Sequence, residues 1–329
     1  MSAQKGRSEE RSYTDWMSQL PPELHNNPLH NLTIPGSHDS MSYDLDLSSA
    51  IIEPDGLKKL SKMYCVRKIL YKWARTQEES ILNQLDAGVR YFDLRIARKD
   101  NDPDPNRLYF YHGLLTQTDV ETILRVMNDW AERHPKEILI LSFSHFKGFV
   151  KRYEDQLHCH LINFIKTLFG AKLCKRVNNI CHVFKQYPFP TLKSCWENGT
   201  NVIISYDYPA YMHQEIWGKI PYYYGNSMDI TKVQTKLCRV LERDRPYQCL
   251  FVCGLNLTLP EDYKILRYIF FRMWDNLARV LERSLPPLLL WVSQQGAKTP
   301  MNIVASDVVT QDGFVATVVQ LNTQKHVKA

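Results

Sequence analysis

Residues 32–40 read LTIPGSHDS and residues 90–96 read RYFDLRI. Each stretch is a short apolar run that carries or leads into polar side chains able to do chemistry, which is typical of a buried parallel strand entering a functional loop. Further runs of the same kind follow along the chain at Leu108–Tyr111, Ile138–Phe143, Val202–Tyr206, Leu250–Cys253, Leu288–Val292 and Ile303–Ala305. We therefore expect the fold to be built from strands of this type.

Helical patterns lie between many of these runs. In Thr118–Arg133 the apolar residues follow the 3.6-residue period behind a capping box formed by Thr118 and Glu121. A second apolar stripe, from Leu157 to Leu168, ends at Gly170. Two more helical patterns are Tyr263–Arg283 and Gly313–Asn322.

Strands that alternate with helices predict a parallel sheet covered by helices. The chain has 329 residues without a break in composition, which favours one closed barrel over a doubly wound sheet. We predict an α/β fold, a single-domain, distorted TIM-type (β/α) barrel over residues 25–325, preceded by a polar segment at residues 1–24.

Charge and composition limit what the protein can bind and where in the cell we expect it. The net charge of +6 permits contact with phosphates or anionic lipid, but it is too small to indicate nucleic acid. None of the eight cysteines forms a C-x-x-C pair, and residues 1–16 contain no apolar segment that reads as a signal peptide. We therefore expect reduced thiols and a cytoplasmic protein that visits a membrane surface transiently.

Chemically competent side chains stand where the predicted strands end. These positions are His38 and Asp39 after the first run, Asp93 and Arg95 on the second, His112 after the third, and Asp307 after the last. In a barrel they would meet at one mouth. Each also has an ordinary structural interpretation as a hydrogen-bonded histidine, a helix cap or an Asp93–Arg95 ion pair.

Two histidines and an arginine suit one reaction in particular. One imidazole removes a proton from a hydroxyl of the substrate, the other protonates the departing oxygen, and the guanidinium holds the phosphoryl oxygens. The pattern therefore indicates cleavage of a phosphodiester whose substrate supplies its own nucleophile. No zinc spacing, G-x-S-x-G elbow, P-loop or G-x-G-x-x-G is present, which argues against zinc hydrolases, serine hydrolases, NTPases and dinucleotide enzymes.

A family resemblance rests on four motifs, IPGSHDS at 34–40, LDAGVRYFDLR at 85–95, FYHGL at 110–114 and NIVASD at 302–307. Together they resemble the X domain of phosphatidylinositol-specific phospholipase C, and most of all the short eukaryotic proteins in which this domain stands alone. The likeness runs from about Asp15 to Asn322.

The resemblance implies a role for each strand-end residue. It makes His38 the general base for the inositol 2-hydroxyl, His112 the general acid for the diacylglycerol oxygen, and Arg95 the phosphate-binding cation. It makes Asp39 the partner that orients His112, and Asp307 the partner of His38. Strand geometry agrees, since adjacent side chains point to opposite faces and Asp39 is then poorly placed to orient its neighbour His38.

Headgroup contacts are less clear from the resemblance. His145 stands where the secreted bacterial enzymes have a lysine that contacts inositol, and Tyr206-Asp207-Tyr208 replaces a bacterial arginine. Asp207, Tyr208 and Asn256 are candidate sugar contacts, or alternatively helix caps and loop-filling residues.

Two segments are candidates for contact with lipid. Leu57–Arg75 has no acidic residue, and it intersperses apolar side chains with Lys58, Lys59, Lys62, Arg67 and Lys68, which would favour an anionic membrane surface. An ordinary solvated helix covering the barrel explains the same pattern. The aromatic stretch Trp217–Tyr224 is a second possible rim element or a packed loop.

These observations predict a phosphoric diester hydrolase that cleaves phosphatidylinositol-type lipids to diacylglycerol and inositol phosphate. We expect neither metal nor cofactor, because Asp39 and Asp93-Leu94-Arg95 stand where calcium-dependent relatives have Asn and Glu-x-Asp. One alternative is a barrel glycerophosphodiesterase, which needs a Glu-x-Asp metal site absent here. The other is a catalytically weak or inactive module that binds inositol lipids in the same pocket.

Overall fold

Eight parallel strands curl around a common axis in a computed structural model that describes residues 12–176, 189–209, 213–259 and 277–324. They are β1 (Ile34–Ser37), β2 (Tyr91–Arg98), β5 (Leu139–Lys147), β6 (Val202–Tyr206), β7 (Ile216–Trp217), β8 (Tyr222–Tyr224), β9 (Val252–Gly254) and β10 (Ile303–Ser306). Neighbours in this order pair from β1 to β7 and from β8 to β10, and β10 pairs with β1. No ladder joins β7 to β8 in the described chain, so the barrel is distorted at that point. The predicted α/β barrel is confirmed.

Burial explains why these strands read as continuous apolar runs. All residues of β1, β6 and β10 are buried, because the barrel interior covers one face and helices cover the other. A parallel strand of this kind shows no alternation between apolar and polar residues.

The third predicted run forms a hairpin outside the barrel wall. Strands β3 (Leu108–His112) and β4 (Leu114–Asp119) are antiparallel, and β3 pairs with the end of β2. Gly113 makes the turn with a φ of +72°, a conformation that glycine adopts without strain. This turn brings His112 over the mouth of the barrel.

Nine described helices accompany the strands: α1 (Asp55–Lys58), α2 (Tyr64–Ala74), α3 (Ile81–Ala87), α4 (Val120–Arg133), α5 (Glu154–Phe169), α6 (Leu192–Glu197), α7 (Ile230–Arg243), α8 (Leu277–Gly296) and α9 (Phe314–Gln324). The predicted end of α5 at Gly170 is confirmed. The predicted capping box of α4 is wrong, because the side chain of Asp119 caps the helix by accepting a hydrogen bond from the Thr122 amide.

The strand predicted at Leu288–Val292 is wrong, since these residues belong to α8. Pro286 and Pro287 interrupt the sequence pattern there, and the apolar run behind them looks like a strand. In the helix Leu288 and Val292 are buried whereas Leu290 is 61% exposed, which is the one-sided burial of a helix packed on the barrel. Of the predicted helix Tyr263–Arg283, residues 260–276 lie outside the described part of the chain.

The aromatic stretch Trp217–Tyr224 is mostly barrel wall. Trp217 ends β7, Tyr222 begins β8, and Ile220 between them is buried. Strands of two and three residues are too short to show a pattern in sequence, which is why they were not predicted.

The packed core begins before the predicted boundary at residue 25. Trp16, Met17 and Leu20 are buried in the main hydrophobic core, and Trp16 Nε1 donates a 2.9 Å hydrogen bond to the carbonyl of Gly88. No helix in the described ranges combines the length and the hydropathy that a membrane span requires.

Candidate active site

The predicted catalytic side chains converge at the C-terminal end of the barrel. His38 follows β1, Arg95 lies on β2, His112 ends β3, and Asp307 follows β10. The first three line a cavity of about 600 Å³, and Asp39 and Asp307 lie beneath them. Parallel strands meet at one edge, which explains how residues 269 positions apart come into contact.

His38 is held between a carboxylate and a guanidinium. Its Nδ1 lies 2.8 Å from Asp307 Oδ1, and its Nε2 lies 2.9 Å from Arg95 Nη2. Because a guanidinium only donates, the ring that satisfies both contacts carries its proton on Nδ1 and keeps the lone pair of Nε2. Burial works against the charged form, but Asp39 and Asp307 outweigh it and raise the pKa of His38 above its ordinary value.

Asp39 bridges both histidines and the arginine. Its Oδ1 lies 2.7 Å from Arg95 Nε, and its Oδ2 lies 3.2 Å from both His112 Nε2 and His38 Nε2. Burial alone would raise the pKa of Asp39, but Arg95 and His112 together with His38 lower it. The carboxylate is therefore the central anion of the site.

Asp39 contacts its own neighbour His38 at Nε2, whereas Nδ1 of that ring is held by Asp307. Strand β1 ends at Ser37, and Asp39 has a φ of +44°. The alternation of side chains along an extended strand no longer applies at this position, and the turn directs both side chains into the same site.

His112 faces an acceptor at each ring nitrogen. Its Nδ1 lies 2.6 Å from the carbonyl oxygen of Ala74, and its Nε2 faces Asp39 at 3.2 Å. A doubly protonated imidazole satisfies both contacts by donating from both nitrogens. The ring centroids of His112 and His38 are 6.3 Å apart, so the two imidazoles face the same space.

Arg95 occupies the centre of this arrangement. Besides Asp39 and His38 it contacts Asp93, whose Oδ2 lies 3.3 Å from Nη2. The donor atoms of His38, Asp39 and Asp93 lie within 4.8 Å of one another, a grouping that could hold a metal ion. Each of the three residues already contacts the guanidinium, so a cation could use this donor set only by displacing Arg95.

Three of the four predicted headgroup residues line the cavity: His145, Asp207 and Asn256. Asn256 Oδ1 accepts a 2.9 Å hydrogen bond from the hydroxyl of Tyr222. His145 lies at the mouth, where burial and the charge of Arg95 lower its pKa.

Tyr208 does not line this cavity, so its prediction as a substrate contact is wrong. Its hydroxyl donates to Asp155, and its ring stacks on His158 at a centroid distance of 3.7 Å. Asp207 lies on the cavity side of the chain after β6, and the adjacent Tyr208 packs against α5 instead.

Sequence reasoning missed Lys219, which pairs with Asp207 in the cavity. It lies in the link between β7 and β8, and only recognition of those two short strands would have placed it there. A set of uncharged polar side chains on the strands was also missed: Tyr91, Ser142, Ser144, Ser205 and Tyr222. These side chains give the cavity hydroxyl groups that suit a polyol.

The cavity also has an apolar lining. Its lining includes Leu70, Trp73 and Ala74 of α2, together with Leu257, Leu259 and Leu277. His112 lies beside α2. The carbonyl oxygen of Ala74 contacts its ring, and a Cβ placed on the adjacent Gly113 would lie 3.3 Å from Leu70. The cavity therefore combines hydroxyl groups from the strands with an apolar lining, and the part of that lining on α2 lies beside His112.

Comparison with known proteins agrees with this geometry. The barrel has the fold of the phosphatidylinositol-specific phospholipases C of Staphylococcus aureus (TM-score 0.63, 16% identity, 94% of this chain and 98% of that chain) and Listeria monocytogenes (TM-score 0.61, 20% identity, 95% and 99%). The family description "Phosphatidylinositol-specific phospholipase C, X domain" matches residues 61–197. The fold and the site thus define a phospholipase C X-type barrel.

Curated relatives place the chain more closely. It is 37% identical to human PI-PLC X domain-containing protein 1 over 94% of its length and 92% of that protein. It is 32% identical to mouse PI-PLC X domain-containing protein 3 over 98% of its length and 97% of that protein. The chain belongs to the PI-PLC X domain-containing protein family.

Proposed function

We propose that the protein is a phosphoric diester hydrolase that cleaves phosphatidylinositol-type lipids to diacylglycerol and an inositol phosphate. The observation that carries the proposal is the pair of histidines in one cavity. His38 presents an Nε2 lone pair that accepts from Arg95 in this structure, His112 faces an acceptor at each ring nitrogen, and Arg95 also contacts the Asp39 carboxylate.

The first step is an attack within the substrate. His38 Nε2 takes the proton of the inositol 2-hydroxyl, whose oxygen bonds to phosphorus while the bond from phosphorus to the glyceride oxygen breaks. His112 Nε2 gives its proton to that departing oxygen, and Asp307 stabilises the imidazolium formed at His38. The products are diacylglycerol and a cyclic 1,2-phosphate.

The second step reverses the roles. His112, now neutral, takes a proton from water as the water oxygen bonds to phosphorus. The bond from phosphorus to the 2-oxygen breaks, and His38 returns its proton there, which leaves both histidines as they began. In both steps charge gathers on the phosphoryl oxygens, and Arg95, whose Nη2 lies 2.9 Å from His38 Nε2, is the cation placed to donate to them.

The mixed lining of the cavity supports a lipid diester as substrate. Hydroxyl groups on the strands suit inositol, and the apolar lining on the His112 side suits the glyceride. The apolar lining beside His112 also supports its role as the general acid, because the general acid must lie beside the leaving group.

We also propose that the protein is cytoplasmic and acts at anionic membranes through the α1–α2 region. Lys59, Lys62 and Lys68 are exposed and make no ion pair with any described residue, whereas Lys58 pairs with Asp55 and Arg67 donates to the Ser61 carbonyl. The same region buries Leu57, Leu70 and Trp73, so it covers the barrel with one face and presents the lysines on the other.

Turnover on phosphatidylinositol vesicles tests the proposal. The purified protein should release water-soluble inositol phosphate, and His38→Ala should abolish the release. A protein that sediments with these vesicles but releases nothing would be a binding module, and the hydrolase proposal would fail.

A further inference from the structure

The side chain of Gln77 joins the turn after β1 to the turn after β10. It is 1% exposed, and its Nε2 donates to two carbonyl oxygens, that of His38 at 2.9 Å and that of Ser306 at 3.0 Å. Its Oε1 accepts from the amide of Val309 at 3.2 Å. The amide group therefore uses both its protons and its oxygen to connect the two turns that carry His38 and Asp307.

The backbone of Gln77 is fixed independently of its side chain. The hydroxyl oxygen of Ser42 accepts hydrogen bonds from the amides of Thr76 and Gln77 at 3.0 and 2.9 Å. The carbonyl of Thr76 accepts from the amide of Val308 at 2.8 Å. Ser42 and Thr76 are each 2% exposed, so these hydrogen bonds lie out of water. The Gln77 amide is thus held in one place between the turns.

The same segment also reaches the second histidine. Ala74 is the last residue of α2, and its carbonyl oxygen lies 2.6 Å from His112 Nδ1. Residues 74–77 therefore contact His112 at one end and the two turns at the other. Gln77 is not among the described residues that line the cavity, so any effect that it has on the reaction must pass through the residues that it holds.

The separation of the two turns sets the contact between His38 and Asp307. His38 Nδ1 lies 2.8 Å from Asp307 Oδ1, although the two residues follow different strands. Without the Gln77 amide, the carbonyl oxygens of His38 and Ser306 would face each other with no donor between them. Buried acceptors that lose a donor destabilise that arrangement, so the turns would move apart and the contact would lengthen.

We propose that Gln77 is a positioning residue that holds His38 and Asp307 at the distance that the general base requires. The proposal rests on the proposed function, because the general base is a role in that reaction. A displacement of about 1 Å at a reacting group can lower the rate by about 10²-fold. An amide that never touches the substrate can therefore control turnover.

The hydrogen bond between His38 Nδ1 and Asp307 provides a spectroscopic test that needs no substrate. In protein with isotope-labelled histidine, a proton held between an imidazole nitrogen and a carboxylate resonates at low field. The signal of His38 is the one that is lost in both His38→Ala and Asp307→Asn. Gln77→Met keeps the length of the side chain and removes its donor and its acceptor. We expect the His38 signal to move upfield or to disappear through exchange with water in this variant.

Kinetics on a soluble, monomeric inositol phosphodiester provide the second readout. Gln77→Met should lower kcat by about 10- to 100-fold, because the general base is displaced. The KM should keep its wild-type value, because Gln77 is absent from the described lining of the cavity. A low-field signal that moves while kcat stays unchanged would overturn the proposal.

Asn322→Leu is the matched control. The Asn322 amide is also buried and holds the chain at the other end of β1, where it donates to the carbonyl of Thr33 at 2.8 Å and accepts from its amide at 2.7 Å. Both variants lose buried hydrogen bonds and should unfold at lower urea concentration. Only Gln77→Met should change the His38 signal and kcat. Changes in Gln77→Met no larger than those in Asn322→Leu would mean that Gln77 has a structural role only, and the proposal would fail.

Ser42→Ala covers the case in which Gln77→Met does not fold. It leaves the side chain of Gln77 in place and removes the hydroxyl that fixes its backbone, so the His38 signal should move in the same direction by a smaller amount. An unchanged signal in a folded Ser42→Ala protein would then overturn the proposal.

The positioning of His38 and the turnover of substrate are measured separately in this design. If the signal moves in Gln77→Met while the wild type hydrolyses nothing, Gln77 still holds His38 on Asp307 and the hydrolase proposal fails. If the wild type hydrolyses the substrate and Gln77→Met retains both the signal and kcat, the hydrolase proposal stands and the role of Gln77 is wrong.

Discussion

At the residue scale, Arg95 connects every charged part of the site. It contacts Asp39, Asp93 and His38, and the two carboxylates raise its pKa more than burial lowers it. A guanidinium remains charged at all physiological pH values and donates in a fixed plane, so it can hold a phosphate without a metal ion.

We expect hydrolysis to need no metal ion, because the Arg95 guanidinium already contacts the carboxylates that a cation would use. An excess of chelator should leave the rate of phosphatidylinositol hydrolysis unchanged. Arg95→Ala should reduce kcat by about 10²–10³, as the loss of a transition-state charge contact commonly does, whereas Arg239→Ala on α7 should have no effect. Loss of wild-type activity in chelator and its recovery with calcium would contradict this assignment.

The pKa of His38 predicts the acid side of the pH profile. A general base must be unprotonated, so kcat/KM should rise with pH and reach its plateau above the His38 pKa, which is raised from its ordinary value of 6.5. Asp307→Asn removes one of the charges that raise this pKa and should move the inflection to lower pH. An inflection that does not move in Asp307→Asn would contradict the role of Asp307 as the partner of His38.

The sequence predicted the residues of the site better than it predicted their contacts. His38, Arg95 and Asp307 could be placed because strand ends meet in a barrel, whereas His112 reaches the same mouth from the β3–β4 hairpin. The contact between Asp39 and His38 depends on a positive φ after β1, and no pattern in the sequence shows that.

At the scale of elements, the β3–β4 hairpin decides where His112 stands. Gly113→Ala should destabilise the protein by about 1–2 kcal/mol, because an alanine at a φ of +72° is strained and its Cβ would press on Leu70. Urea unfolding measures the loss, and hydrolysis should fall with it as His112 shifts.

Gly56→Ala is the matched control for this prediction. Gly56 lies in α1, and nothing stands within 4 Å of a Cβ placed there. This variant should be as stable as the wild type or slightly more stable. Equal unfolding midpoints for both variants would mean that the turn does not need glycine.

Elements were predictable where they are long and regular. The stripe of α5 and its end at Gly170 follow directly from periodicity. Strands β7 and β8 contain two and three residues, and Lys219 between them was missed for that reason. The helix α8 contains two prolines, which disfavour a helix locally. The packing of its apolar face on the barrel outweighs that local preference.

At the scale of the whole molecule, the charges of the cavity restrict the headgroup. Two permanent cations line it among the described residues, Arg95 and Lys219, and each is already paired with carboxylates. Glu53 adds another carboxylate to the lining. No unpaired lysine or arginine in this lining is available for an additional phosphate on the inositol ring.

We therefore expect a preference for phosphatidylinositol without ring phosphates. A phosphomonoester on the inositol ring adds a charge of about −1.5 to −2. We expect kcat/KM for a lipid that carries ring phosphates to be lower than for phosphatidylinositol by about tenfold or more, which corresponds to about 1.4 kcal/mol. The two lipids are compared in vesicles whose surface charge is equalised with phosphatidylserine. Equal or faster hydrolysis of the lipid that carries ring phosphates would contradict the inference that the cavity has no cation available for them.

The central claim is that His38 and His112 act as base and acid in one cavity, and substrates with different leaving groups test it most directly. His38→Ala should abolish hydrolysis of both phosphatidylinositol and an aryl inositol phosphodiester, because both need deprotonation of the 2-hydroxyl. His112→Ala should lose phosphatidylinositol hydrolysis by about 10²–10⁴ and retain most of the aryl-ester rate, since an acidic phenol departs without a proton. Equal losses of both variants on the aryl ester would contradict the claim.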